Sequence, residues 1–421
     1  MLKYFGFHPE PINQMAIYHA GKQYESQLLE SGRTSKNRDM KMDVYDVDIS
    51  QGQNTTKDWI HTVEVMNKKG NKKSESTPVV ILHGYGNGIG YLFKNLLPLA
   101  SLLPNRKIFG LDMLGFGLSS RPSWDSYMKT TSPPPPTLSP VPPTISLAES
   151  WFVDSLERWR SSQGLGKLVL AGHSLGGYLA VAYAERYPER VERIVLLSPV
   201  GVPHPDEEKS KEKIKSAPLR FRMLIKTVRF FWGLGCTPMS VLRSLPSSRG
   251  KKLVDGYVYN RLRGLSDEDK ESLAGYFFSI NTLPGSGEYC LHEILKVGAY
   301  ARAPLVDRIP NLRVGGGVGF VYGSHDWMDV DGGLQVQEVM EASKGGDGGC
   351  EVRVVEGAGH LLMLENPEET NRIIAELVGG GGKRKKGDRS WRHHGQADKT
   401  GWVRMKGEEI GGEGKTGETR V

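Results

Sequence analysis

The sequence predicts an α/β protein, built as a doubly wound, mostly parallel sheet with an inserted helical lid. Three observations predict it. Short, mainly apolar runs recur through the chain, helical patterns stand between them, and one long stretch, residues 203–305, interrupts the alternation.

The apolar runs are PVVILHG (78–84), KIFGL (107–111), KLVLA (167–171), RIVLL (193–197), VGFVY (318–322) and EVRVV (351–355). Such runs suit strands covered on both faces, as parallel strands are. Between them, Ser146–Arg160 carries Leu147, Trp151, Phe152, Leu156 and Trp159 on one helical face, and Gly176–Tyr187 and Pro367–Leu377 are also helix-like. Strands alternating with helices wind a sheet on both sides. Earlier in the chain, Lys41–Ile49 and Trp59–Met66 alternate with period two across a polar turn, the pattern of an antiparallel hairpin at a sheet edge.

These elements divide the chain. Residues 1–38 form a polar N-terminal extension without clear pattern, and the core occupies 39–202 and 306–378. The stretch 203–305 is far too long for a crossover and reads as the helical lid. Within the core, Ser123–Thr144 holds Pro133–Pro136, Pro140, Pro142 and Pro143 and reads as a stiff, exposed insertion without regular structure. From Gly379 onward, four glycines and Lys383–Lys386 open a segment with no apolar periodicity. Residues 379–421 therefore read as a disordered, basic, Gly-rich tail.

Composition narrows the function classes. The net charge is +7, but the tail alone holds eleven Lys and Arg against six Asp and Glu. The basic balance is thus local, and no nucleic-acid partner is expected. Cys236, Cys290 and Cys350 are far apart and odd in number, so neither a disulfide framework nor a metal spacing is present. No apolar run reaches the roughly 18–20 residues of a membrane span, and the N-terminus lacks the apolar region of a signal peptide. The expectation is an intracellular protein, cytoplasmic or mitochondrial, with no metal or redox cofactor implied and no sign of its oligomeric state.

The chemistry enters at Gly172–His173–Ser174–Leu175–Gly176, a G-x-S-x-G. The spacing alone is weak in a chain with 52 glycines. Its setting, directly after a buried strand and directly before a helix, is that of a nucleophile elbow, a strained turn that leaves no room for side chains two residues to either side. Ser174 is the expected nucleophile. The loop His83–Gly84–Tyr85–Gly86 follows the first buried strand, where one oxyanion-hole N–H arises; the residue after the nucleophile supplies the other. The backbone amides of Tyr85 and Leu175 are the expected donors, with His83, Gly84 and Gly86 shaping the loop. The base comes last in chain order, and His360 in GAGH (357–360) follows the final strand. The acid follows the preceding strand, where YGSHDWMD (322–329) offers two carboxylates. Asp326, nearer the strand end, is preferred, and Asp329 is its rival. DMLGFGLS (112–119) reads as structural support, its glycines permitting close turns.

Taken together, HGYG (83–86), DMLGFGLSSRP (112–122), AESWFVDSLERWR (148–160), GHSLGGYLAVAYAERYPERV (172–191), LSPVGVP (197–203), VYGSHDWMD (321–329) and GHLLMLENPEETN (359–371) look familiar. The chain resembles the lipid-acting α/β-hydrolases that include N-acylphosphatidylethanolamine lipase, lysophosphatidate acyltransferase-like proteins and mitochondrial cardiolipin deacylase. The resemblance implies the α/β-hydrolase fold and a serine hydrolase that cleaves acyl esters of glycerophospholipids through an acyl-enzyme, with a phospholipid or lysophospholipid as substrate. Several relatives carry H-x4-D, read as an acyltransferase signature. Here His360 and Glu365 give H-x4-E, which keeps an acyl-CoA-dependent lysophosphatidate acyltransferase as the alternative. Some relatives lack the serine and act as coactivators, so a non-catalytic lipid-binding regulator is the third reading. A second spacing of this kind, His393–Asp398, falls in the tail and reads as chance.

In the lid, residues 218–235 are dense in Leu, Phe, Met and Trp, with Arg220, Arg222, Lys226 and Arg229 interleaved. A basic, aromatic helix of this kind can lie in the headgroup plane of an anionic membrane. Phe230, Phe231 and Trp232 are the expected contacts. The other reading packs the apolar side of the helix on the core.

Overall fold

The computed structural model describes residues 13–50, 57–70, 76–135, 141–205, 215–216, 218–342 and 349–379. Its strands are β1 (Met40–Asp48), β2 (Trp59–Asn67), β3 (Val79–Leu82), β4 (Ile108–Leu111), β5 (Leu168–His173), β6 (Val191–Leu197), β7 (Val318–Gly323) and β8 (Cys350–Val355). They form one sheet in the order β1-β2-β4-β3-β5-β6-β7-β8. The β1–β2 hairpin lies at the edge and joins β4 antiparallel, while every other neighbouring pair is parallel.

Helices cover both faces: α1 (Gln14–Ser31), α2 (Leu96–Leu102), α3 (Trp124–Thr130), α4 (Pro143–Ser162), α5 (Leu175–Arg186), α6 (Leu219–Gly233), α7 (Pro238–Ser244), α8 (Ser247–Arg261), α9 (Asp267–Thr282), α10 (Leu291–Ile294), α11 (Val330–Ala342), α12 (Leu362–Glu365) and α13 (Pro367–Gly379). Successive strand residues point to opposite faces, and the core divides accordingly. Val80 and Leu82 pack with Trp151 and Trp159 of α4, Tyr178 of α5 and Val336 of α11. Val79 and Ile81 pack with Leu28 of α1, Leu96 of α2, Tyr276 of α9 and Ile374 of α13. This double cover is why a central strand such as β3 is apolar throughout.

Two stretches differ from their sequence reading. The N-terminal extension is not featureless, because α1 packs on α9, where the Tyr24 ring occupies the space a side chain on Gly275 would need. Its buried face is Gly21, Glu25, Leu28 and Leu29, so only two leucines mark it in the sequence. Glu25 is held by charge: His61 is 2.8 Å from it and 2.5 Å from Asp46. Burial pushes the His61 imidazole down, but these two carboxylates outweigh it and raise its pKa to about 10. The second departure is α3, a two-turn helix inside the Pro-rich stretch. Ser123 caps it by accepting from the Ser126 N–H, and Trp124 stacks on Tyr127 and packs edge-on to Trp151. Pro143, read as part of the insertion, opens α4, where a proline is well placed in the first turn. Residues 136–140 and the tail from 380 onward lie outside the described residues.

Between β6 and β7, α6 to α9 stand over the sheet. On α6, Met223, Val228, Phe230 and Phe231 are exposed, Phe230 to 63%. Trp232 differs from the expectation for it, since it is half-buried with its ring 4.3 Å from that of His292. Among the described residues, no helix is long and apolar enough to cross a membrane.

Candidate functional site

The site lies beyond the C-terminal ends of β3, β5, β7 and β8. Ser174 sits between β5 and α5 with φ 54° and ψ −114°. For a residue with a side chain this conformation costs about 1–3 kcal/mol. Backbone bonds hold it there: the Ser174 N–H donates to Leu197 at 2.9 Å, and its carbonyl accepts from Gly177 at 3.0 Å. The flanking glycines are needed for space. A side chain on Gly172 would strike the Gly176 carbonyl, and one on Gly176 would strike the Leu82 carbonyl. The strained turn aims the Ser174 hydroxyl away from the sheet.

His360 Nε2 lies 3.1 Å from Ser174 Oγ, and His360 Nδ1 lies 3.2 Å from Asp326 Oδ1. The carboxylate can only accept, so it assigns the proton to Nδ1 and leaves Nε2 to accept from the serine hydroxyl. Burial pushes the Asp326 carboxyl up. The hydrogen bond and charge of His360, with the Met328 N–H at 3.0 Å, outweigh burial and hold it below the usual carboxylate range. Asp329 stands elsewhere: its Oδ1 accepts from the Asp331 N–H at 3.0 Å, at the start of α11.

The Tyr85 and Leu175 amides donate to no acceptor among the described residues. Gly84 lets their loops meet, since a side chain there would come within 2.9 Å of His173 and 3.0 Å of Ser174. His83 sets the aim of one donor. Its Nδ1 donates to the Gly84 carbonyl at 2.7 Å, and its Nε2 accepts from the Met113 N–H at 3.1 Å. Burial pushes its pKa down to about 4, so it is neutral, as this pairing requires. The Gly84 carbonyl and the Tyr85 N–H belong to one trans peptide, so turning the carbonyl onto His83 turns the N–H the opposite way. Gly86, at φ 71°, is held by Asn281 of α9, which donates to its carbonyl at 2.8 Å. Asp112 supports the neighbouring turn by accepting from Ile89 at 2.7 Å and Leu118 at 2.6 Å.

Glu365 is not beside the His360 imidazole as a second acid. One carboxylate oxygen accepts from the Gly359 N–H, and the other pairs with Arg261 of α8 at 3.0 Å. It therefore clamps the loop that carries His360 and ties that loop to α8.

Sequence reasoning missed three residues. His173 Nε2 donates to the His360 carbonyl at 2.9 Å while its ring stacks on Tyr91, joining the elbow to the base loop. Burial, with the charge of His360, pushes its pKa down to about 3. Trp327 is half exposed, with its ring 5.0 Å from that of His360. Arg261 is the third. A histidine inside G-x-S-x-G was a usable signal for the first, whereas the other two depend on contacts between distant segments.

Residues 77–231 match the alpha/beta hydrolase fold family. A 1-acylglycerol-3-phosphate O-acyltransferase of Arabidopsis thaliana is 32% identical over 317 residues, 73% of this chain and 67% of the relative. The (lyso)-N-acylphosphatidylethanolamine lipase of Mus musculus is 31% identical over 326 residues, 77% of this chain and 84% of the relative. Among solved structures, a naproxen esterase from Bacillus subtilis superposes with a TM-score of 0.52 at 15% identity, covering 88% of this chain and all of that one. A membrane phospholipase A described as a bacterial virulence factor gives 0.51 at 21% identity, covering 87% and 96%. These two likenesses concern the fold. With the sheet order, the elbow and these relatives in hand, the chain belongs to the α/β-hydrolase family.

Proposed function

We propose that this protein is a serine hydrolase that cleaves acyl esters of glycerophospholipids. The observation that carries this reading is the continuous chain of contacts from Ser174 through His360 to Asp326, beside two amides that donate to no acceptor among the described residues. Ser174 attacks the ester carbonyl as His360 takes its proton, and the Tyr85 and Leu175 amides hold the oxygen that gains charge. Asp326 keeps the imidazole in the productive tautomer and stabilises it when charged. The protonated His360 then returns the proton to the leaving alkoxide, and water releases the fatty acid from the acyl-enzyme. The lipid part of the reading is supported by relatives named for acylglycerol phosphate and N-acylphosphatidylethanolamine.

A second reading keeps the acyl-enzyme but resolves it with lysophosphatidate, using acyl-CoA as donor. It is favoured by the relatives named as acyltransferases. Glu365 gives it no support, because its carboxylate is engaged by Gly359 and Arg261. The experiment that separates the two incubates purified wild type and Ser174→Ala with mixed phospholipids, with and without acyl-CoA, and follows the lipids by mass spectrometry. Hydrolysis converts a diacyl species to its lyso form without acyl-CoA, and only in the wild type. Formation of diacyl product strictly dependent on acyl-CoA, with no lyso form otherwise, would select the transferase.

The reading also includes contact with an anionic membrane through α6, supported by exposed Phe230 and Phe231 beside Lys226 and Arg229. Replacing both phenylalanines by Ala is expected to reduce co-sedimentation with phosphatidylserine-containing vesicles several-fold, while Trp232→Phe leaves it near wild type. Equal sedimentation of the double variant and the wild type counts against the contact.

A further inference from the structure

Apart from the Ser174 site, a cleft of about 710 Å³ is bordered by Trp124, Trp232, Tyr289, Glu293, Lys296 and Arg302. Its basic wall is a built feature. Leu295 and Ala301 form an antiparallel bridge, Lys296 N–H donates to Tyr300 at 2.8 Å, and Arg302 N–H donates to Ile294 at 2.9 Å. Because 294 faces 302 and 296 faces 300, Lys296 and Arg302 are diagonal neighbours on one face of this short ladder. The turn that places them there includes Gly298 at φ 97° and Ala299 at φ 63°, a left-handed conformation that an alanine adopts only at a cost. Arg302 is further fixed by donating from Nε to the His292 carbonyl at 2.9 Å, which leaves its two terminal nitrogens over. Among the described residues neither Lys296 nor Arg302 forms an ion pair, with Glu293 or any other carboxylate.

Two like charges held on one face repel each other, and a strained turn keeps them together. One carboxylate nearby does not neutralise both. We infer that this cleft is a binding site for a phosphate monoester, the head group of an acylglycerophosphate or the free phosphate ester. A phosphate monoester carries nearly two negative charges at neutral pH. It offers the planar Arg302 fork two oxygens and Lys296 a third. Trp124, Trp232 and Tyr289 supply flat apolar walls suited to the carbons that follow the phosphate. The lipid version of the ligand rests on the function proposed above, whereas the phosphate site stands on the cleft alone.

The test titrates the full chain with sn-glycerol 3-phosphate, inorganic phosphate and glycerol by calorimetry, in wild type and in Lys296→Ala/Arg302→Ala. Lys296→Gln serves as a milder variant, and circular dichroism checks that each folds. Saturable binding of glycerol 3-phosphate, none of glycerol, and a loss of about tenfold or more in the double variant support the site. No saturable binding by the wild type, or equal binding by the variants, overturns it. Inorganic phosphate that binds as tightly as the ester supports a site for free phosphate. A drop of about tenfold in the turnover ratio of lysophosphatidate to monoacylglycerol in the double variant supports the lipid head group. If the wild type turns over neither lipid but binds glycerol 3-phosphate, and the double variant loses that binding, the catalytic reading fails and the site stands.

Discussion

Replacing Ser174 by Ala is expected to lower the rate of ester hydrolysis by about 10⁶-fold, the scale seen when a triad nucleophile is removed. The same loss is expected for His360→Ala, and combining the two should cost almost nothing more. The reason lies in the geometry: the serine hydroxyl is 3.1 Å from His360 Nε2, and neither group does its work without the other. What remains is stabilisation by the Tyr85 and Leu175 amides, about 10³–10⁴ over water. Initial rates on a short-chain nitrophenyl ester read this directly, and a fluorophosphonate probe should label the wild type and not Ser174→Ala. Additive losses in the double variant, or a Ser174→Ala protein within tenfold of wild type, would remove the triad from the mechanism.

The second large effect separates two aspartates three residues apart in sequence. Asp326→Asn is expected to lower kcat by about 10⁴-fold, because an amide at that position no longer selects the tautomer that leaves Nε2 free to accept. Asp329→Asn should stay within about threefold of wild type. Asp329 serves the start of α11, accepting from the Asp331 N–H, a task asparagine performs as well as aspartate. Steady-state kinetics on the same ester decides it. Loss of activity in Asp329→Asn with retention in Asp326→Asn would reassign the acid.

The ease of reading differed from element to element for physical reasons. The central parallel strands declared themselves because helices cover both faces, as the fully buried β3, β4, β5 and β7 show, whereas the edge strand β8 keeps Glu351 and Arg353. The α1 helix was hidden because its buried face uses a glycine and a glutamate, the latter partnered by His61 and the Tyr276 hydroxyl from distant parts of the chain. The α3 helix was hidden by neighbouring prolines, although Ser123 and Trp124 were its cap and its anchor. At the site, chain order was enough to put Ser174 and His360 on loops that converge, because the order of strands fixes which loops meet. It did not separate Asp326 from Asp329, which follow the same strand and differ only in which way a short loop turns. The Arg261–Glu365 pair left no local trace, since its halves belong to different layers of the fold.

That pair bears on how proteins are sorted by pattern. The glutamate of H-x4-E serves as a rivet: it pins the peptide in front of the histidine and fastens an overlying helix. In this chain, then, the spacing marks how the loop is built and held to α8.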